Sequence, residues 1–149
     1  MIAGMYLGEL VRLIILDLID NELIFVEEMK KTAYRYPLFT QGSFYTKYVN
    51  EIESDSHIKF TKTKRILKEL AGIENPSYED LIVVKHICCL VTKRSGKLTA
   101  AGLGVILRRM NRPEVTIAVD GSLFRYHPRL KLIINNTLRN LVSPENKVN

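Results

Sequence analysis

Two polar clusters in this chain combine residue types that could hold an anion. The first, Asp120-Gly121-Ser122, ends the apolar, largely β-branched run Val115, Thr116, Ile117 and Val119. In open α/β sheets ligands sit just beyond the carboxyl ends of strands. There Gly121 lets the backbone come close to a phosphate, and Ser122 offers a hydroxyl and an amide to its oxygens. Asp-Gly after a strand also makes an ordinary turn, and the residues alone leave both readings open. The second cluster follows Gly42 in the stretch GSFYTKYVN, where Thr46, Lys47 and Asn50 fall on the exposed turns of a short helix whose start favours anions. A solvated face accounts for these residues as well. His57, His86 and His127 have no spacing suited to a metal, and His86, on an apolar helix, is expected in the core. There is no Ser-His-Asp arrangement, CxxC pair or P-loop.

The elements that must carry these clusters are mostly helical. Leu7, Leu10, Val11, Ile14, Ile15, Leu18 and Ile19 recur at three-and-four spacing and predict a helix from about Met5 to about Asn21. A connector then runs to Pro37, which argues against further helix there. Ser43 is the expected N-cap of a second, short helix through Phe44, Tyr48 and Ile52, closed by Glu51, Glu53 and Asp55, acids at the unfavourable end. Thr61 or Thr63 caps a third helix that Gly72 ends. Ser77, with Asp80 at the capping-box position, starts a fourth. Its apolar face continues through Leu107 as one long helix or two stacked ones, broken at Ser95-Gly96. Gly102 and Gly104 imply close approach to the backbone, with a neighbouring helix the favoured cause. A strand follows at about 114–120, then a last helix through Leu130, Ile133, Ile134, Leu138 and Leu141, and a polar tail at 145–149.

The chain has 149 residues, of which 46% are hydrophobic, enough for one domain with a real core. The 22 Lys and Arg and 16 Asp and Glu read as interleaved along the whole length, without the basic block of a nucleic-acid arm. No nucleic-acid partner is expected. Cys88 and Cys89 are adjacent, and neighbours on a helix point in different directions, which argues for reduced thiols and an intracellular protein. The apolar run Leu13 to Ile19 contains Asp17 and falls far short of the roughly 20 residues a membrane span needs. Glu9, Asp17 and Asp20 also break any secretory-signal pattern. The expected location is the cytoplasm, with attachment to a mitochondrial surface left open. One strand among several helices cannot satisfy its own backbone. Either the chain is all-helical, or it is a piece of a larger α/β fold.

Four blocks, GMYLGELVRLIILDLIDNELIF, GSFYTKYVNEIESD, LVTKRSGKLTAAGLGVILRRM and VTIAVDGSLFRYHP, occur in one order, and together the chain resembles the large lobe of eukaryotic hexokinases. The resemblance covers Met1 to about Pro144. It implies an α/β chain, a partial large lobe of the actin-like, ribonuclease-H-like ATPase fold, mainly helical here. It also implies a two-lobed enzyme that closes over a hexose and phosphorylates glucose or a related sugar with ATP and Mg2+. Carried over position by position, nucleotide contacts fall at Gly4 and Met5, at Thr46, Lys47, Tyr48, Val49 and Asn50, and at Gly121, Ser122, Leu123, Phe124, Arg125 and Tyr126. On this reading the two clusters are walls of one pocket. Thr46 contacts phosphate or ribose, Gly121 and Ser122 approach the α-phosphate, and Arg125 to His127 shape the adenosine side.

What does not match is equally specific. The family's phosphate-binding hairpin, catalytic aspartate and hexose-binding residues correspond to sequence upstream of Met1, and its last strand and Gly-rich helix to sequence beyond Asn149. The resemblance therefore implies no catalytic residue in these 149 residues. The alternatives are an inactive nucleotide-binding or regulatory module, and a piece of a longer gene product. Asn50 stands where a serine is usual, and Gly96 where an alanine is usual, a change expected to loosen its helix.

Overall fold

Leu7, Val11, Ile15 and Ile19 line one side of the first helix, α1 (Gly4–Asp20), and all four are buried. Positions four apart meet on one face of a helix, and this stripe packs α1 against α3 (Thr46–Glu53), which buries Tyr48, Val49 and Ile52 in return. The computed structural model describes residues 3–30, 36–112 and 114–142 and the backbone of 147–148. Two compact units divide the chain, one from Ala3 to Val91 and one from Thr92 onward, with the boundary inside α5 (Tyr78–Met110).

Within the first unit, α2 (Val26–Met29) and a 3-10 turn at Pro37–Phe39 occupy the stretch expected to be a plain connector. The expected cap of α3 is also corrected. Phe44 is buried and the chain stays extended through Tyr45 (φ −73°, ψ 150°), so the first turn starts at Thr46 and Ser43 lies outside it. In α4 (Thr61–Ala71) neither Thr61 nor Thr63 is the cap. Instead Asp55 accepts hydrogen bonds from the Thr63 amide (2.7 Å) and hydroxyl (2.9 Å). The acid that looked misplaced after α3 thus serves the N-terminus of the next helix, where negative charge is favourable. Gly72 ends α4 in the left-handed region, as expected.

Ser77 caps α5 by accepting from the Asp80 amide at 3.0 Å. The Asp80 carboxylate does not complete a capping box; it accepts from the Phe25 amide at 3.4 Å. α5 runs through Ser95-Gly96 as one long helix, without the break expected there. Lys85, not His86, is the polar residue buried at this point of the helix, its Nζ donating to the Asp55 carbonyl, while His86 is exposed. Cys88 and Cys89 are not joined in a disulfide, and burial pushes the Cys88 thiol up.

In the second unit, Ala100 and Leu107 of α5 pack with Leu130, Ile134 and Leu138 of α7 (Leu130–Leu141) and with Val142. Gly96 is the close-approach position here. An added Cβ would lie 2.7 Å from Ile133 Cγ2, whereas at Gly104 the nearest atom, Leu141 Cβ, is at an ordinary 3.6 Å and Gly102 faces open space. The strand expected over 114–120 shrinks to β1 (Glu114–Val115), paired in parallel with β2 (Lys147–Val148), Glu114 opposite Lys147. Among the described residues nothing pairs with Thr116 to Asp120, and a ladder ends where its partner does. The expected polar tail therefore contributes backbone pairing to β1.

Candidate functional site

The two predicted clusters fall in different units, Gly4, Met5 and Thr46 to Asn50 in the first and Gly121 to Tyr126 in the second.

In the first unit the Thr46 hydroxyl donates to the Gly4 carbonyl and accepts from the Gly8 amide at 3.3 Å. It sits across the pair of groups that an i to i−4 helical bond joins, tying the first turn of α3 to the first turns of α1. Its single proton is committed to Gly4, so toward a phosphate Thr46 has only its backbone N–H to offer as donor. Met5 is exposed. Tyr48 and Val49 face the core, Tyr48 edge-on to Phe44 at 5.7 Å between ring centres. Their side chains do packing. Lys47 folds back with Nζ 4.9 Å from the Tyr48 ring centre and 5.5 Å from that of Tyr45. Asn50 has a buried Oδ1 without a hydrogen-bond partner, as does the Ser43 hydroxyl. A buried acceptor left open costs about 1–3 kcal/mol unless something donates to it.

The segment before α3 is tied to α1 by residues that the sequence reading passed over. Arg12 is buried and forked onto Glu9, Nε to Oε2 at 2.8 Å and a second nitrogen to Oε1 at 2.7 Å, while its third donor reaches the Leu38 carbonyl at 3.1 Å. Glu9 Oε2 also accepts from the Gly42 amide at 2.9 Å. The hydrogen bond from Arg12, followed by that from Gly42, holds the Glu9 carboxyl below its ordinary range. A signal for Gly8 was available, since a glycine inside an amphipathic helix asks what approaches it. Glu9 and Arg12 stand at i, i+3 spacing, a local signal for their ion pair, whereas their other partners, Leu38 and Gly42, lie about 30 positions away and left none.

In the second unit Gly121 has φ +133°, a region that L side chains rarely adopt, and precedes α6 (Ser122–Tyr126). The Asp120 carboxylate accepts from the Gly121 amide at 2.8 Å and from Arg125 at 3.5 Å. Ser122, Arg125 and Tyr126 are exposed, whereas Leu123 and Phe124 pack against the core. Val119, Asp120, Gly121, Phe124, Arg125 and Lys131 line a recess of about 250 Å3. Lys131 is a cation the sequence reading did not single out. His127 is buried and structural: Nδ1 accepts from the Arg129 and Leu130 amides, both at 3.2 Å, which places the proton on Nε2, 3.2 Å from the Thr92 hydroxyl. The even interleaving of charge also needs correction. Beyond Thr92 the acids are Glu114, Asp120 and Glu145, against a much larger set of Lys and Arg. Among the described residues no group of three His, Cys, Asp or Glu could hold a metal, and no helix is long and apolar enough to cross a membrane.

Known proteins share both the sequence and this arrangement of helices. Hexokinase-1 of Mus musculus is 40% identical over 148 residues, covering 95% of this chain and 14% of the relative. The hexokinase of Brugia malayi is 32% identical over 144 residues, covering 97% of this chain and 24% of the relative. A solved structure described as hexokinase from Schistosoma mansoni complexed with glucose superposes with a TM-score of 0.87 at 32% identity, over 98% of this chain and 32% of that one. The chain thus spans less than a third of the curated relatives it matches, and its fold is part of a lobe of the actin-like class. The hexokinase family profile matches residues 1–149, and the chain belongs to the hexokinase family.

Proposed function

We propose that this chain is part of a hexokinase large lobe that serves ATP-dependent phosphorylation of glucose or a related hexose at its 6-hydroxyl, with nucleotide as the ligand of its own residues. The superposition on a glucose-complexed hexokinase at TM-score 0.87 carries this reading. The residues present fit a nucleotide. The first-turn amides of α3 match phosphate oxygens, and the Gly121-Ser122 turn with Arg125 and Lys131 matches a polyphosphate. Mg2+ bound with the phosphates would neutralise part of their charge. Orientation and charge stabilisation of nucleotide are what these residues supply. No residue here matches the family's catalytic aspartate, so the 149 residues alone are catalytically inactive, and the cytoplasm is their place of action. A coupled glucose-6-phosphate assay on the purified chain should show no turnover, and titration with a fluorescent ATP analogue should show saturable binding. Absence of binding removes the nucleotide reading.

A second reading makes the chain a non-catalytic, hexokinase-like module that pairs with an intact hexokinase. Co-purification with a full-length hexokinase tests it, and failure to co-purify at micromolar concentration counts against it.

A further inference from the structure

The segment from Leu38 to Thr46 runs back along α1 like a zip. Leu38 is held by Arg12, Gly42 by Glu9, the Phe44 carbonyl lies over Gly8, and Thr46 is bonded to Gly8 and Gly4. As the segment climbs, its partners on α1 step down from Arg12 through Glu9 and Gly8 to Gly4. Three of these ties are polar, and the two furthest from α3 meet in one ion pair. Arg12 is 6% exposed in its side chain and Glu9 16%, so the pair is shielded from water and from salt far better than a surface bridge.

We propose that the Glu9–Arg12 pair is a positioning device for the nucleotide-contacting start of α3, an inference that rests on the reading of Thr46 to Asn50 as nucleotide contacts. Neither residue touches ligand. The pair fixes both ends of the loop Leu38 to Gly42, and that loop sets where α3 begins. Every Arg12 donor group that the structure engages has a defined acceptor: both Glu9 oxygens and one main-chain carbonyl. A planar fork can serve these together, and an ammonium cannot. The Glu9 carboxylate in turn holds the Gly42 amide at a residue with φ +76°, where the chain turns toward Phe44. Loss of the pair leaves the core stripe of α1 intact but releases the loop, so the first-turn amides of α3 lose their fixed aim.

The test uses the full 149-residue chain with a fluorescent ATP analogue, comparing Glu9→Gln and Arg12→Lys with the unaltered protein. Glu9→Gln keeps shape and an acceptor for Gly42, and Arg12→Lys keeps charge without the fork. Both variants should bind the analogue about tenfold more weakly, the scale of one charge-assisted hydrogen bond, with near-unchanged helical circular dichroism. Amide exchange at Gly42 should rise in both, while exchange at Val11 and Ile15 stays put. If the unaltered chain binds and Arg12→Lys binds equally well, charge alone suffices and the positioning role is overturned. Unchanged Gly42 exchange also overturns it. Absence of binding by the unaltered chain overturns the nucleotide reading itself, and the device with it.

Discussion

The carbonyl oxygen of Phe44 occupies the space that a side chain on Gly8 would fill, 1.9 Å from where its Cβ would stand. Main chain cannot rotate out of the way as a side chain can, so the packing of α1 on the approach to α3 depends on a single hydrogen atom. Gly8→Ala should therefore destabilise the first unit by about 3 kcal/mol or more, the upper end for overpacking, despite alanine's better helix propensity. Urea unfolding followed by circular dichroism measures this, and a stability gain would show that the two segments can part without cost.

Thr46 makes the next tie. Thr46→Val keeps the shape but removes the hydroxyl that serves Gly4 and Gly8, and should cost about 1–2 kcal/mol. Thr46→Ser should restore most of it. If Thr46→Ser fails to recover stability while Thr46→Val retains it, the methyl group matters and the hydrogen bonds do not.

Acid should weaken the same region. The Arg12 guanidinium, then the Gly42 amide, hold the folded Glu9 carboxyl below its unfolded value, so the folded state binds fewer protons there. The resulting stabilisation is fully present above the unfolded carboxylate value and is lost as pH falls through the folded one. The unaltered chain should lose stability over that acidic window with a steeper slope than Glu9→Gln. Identical slopes would contradict the assignment.

Gly96→Ala tests the second unit. Helix propensity gains about 1 kcal/mol, but Ile133, β-branched and held to one rotamer in a helix, meets the new Cβ at 2.7 Å. A net loss of about 1 kcal/mol is expected. Combining it with Ile133→Ala should give a smaller loss than the sum of the two, read from a double-mutant cycle.

Arg125 is exposed and only loosely engaged by Asp120 at 3.5 Å, so its removal should leave the melting temperature unchanged. Arg125→Ala should weaken binding of the ATP analogue about five- to tenfold, more at low salt than at high. Equal affinity in both proteins would take the Asp-Gly-Ser turn out of the nucleotide site.

The order of the helices, the wide apolar face of α1, the Ser77 cap, the Gly72 stop and the family were legible in the sequence, because periodicity and capping are local and the four motif blocks are long. Three-dimensional packing decided the rest. Asp55 looked like a misplaced acid of α3 until α4 folded against it. His86 and His127 exchanged their expected places: a step of one residue, about 100° around the helix, puts Lys85 rather than His86 in the core, and the Arg129 and Leu130 amides and the Thr92 hydroxyl hold the His127 ring inside. The strand over 114–120 was read from β-branched residues, but a strand's length belongs to its partner, and among the described residues only Lys147–Val148 pairs with it. Of the site, the sequence by itself determined where glycine, serine and threonine stand. The tertiary structure decided that Tyr48 and Val49 face inward, that the Thr46 proton is spent on Gly4, and that Glu9 and Arg12 hold the loop in front of α3. Those outcomes depend on atoms brought together from distant parts of the chain, and no local pattern encodes such a meeting.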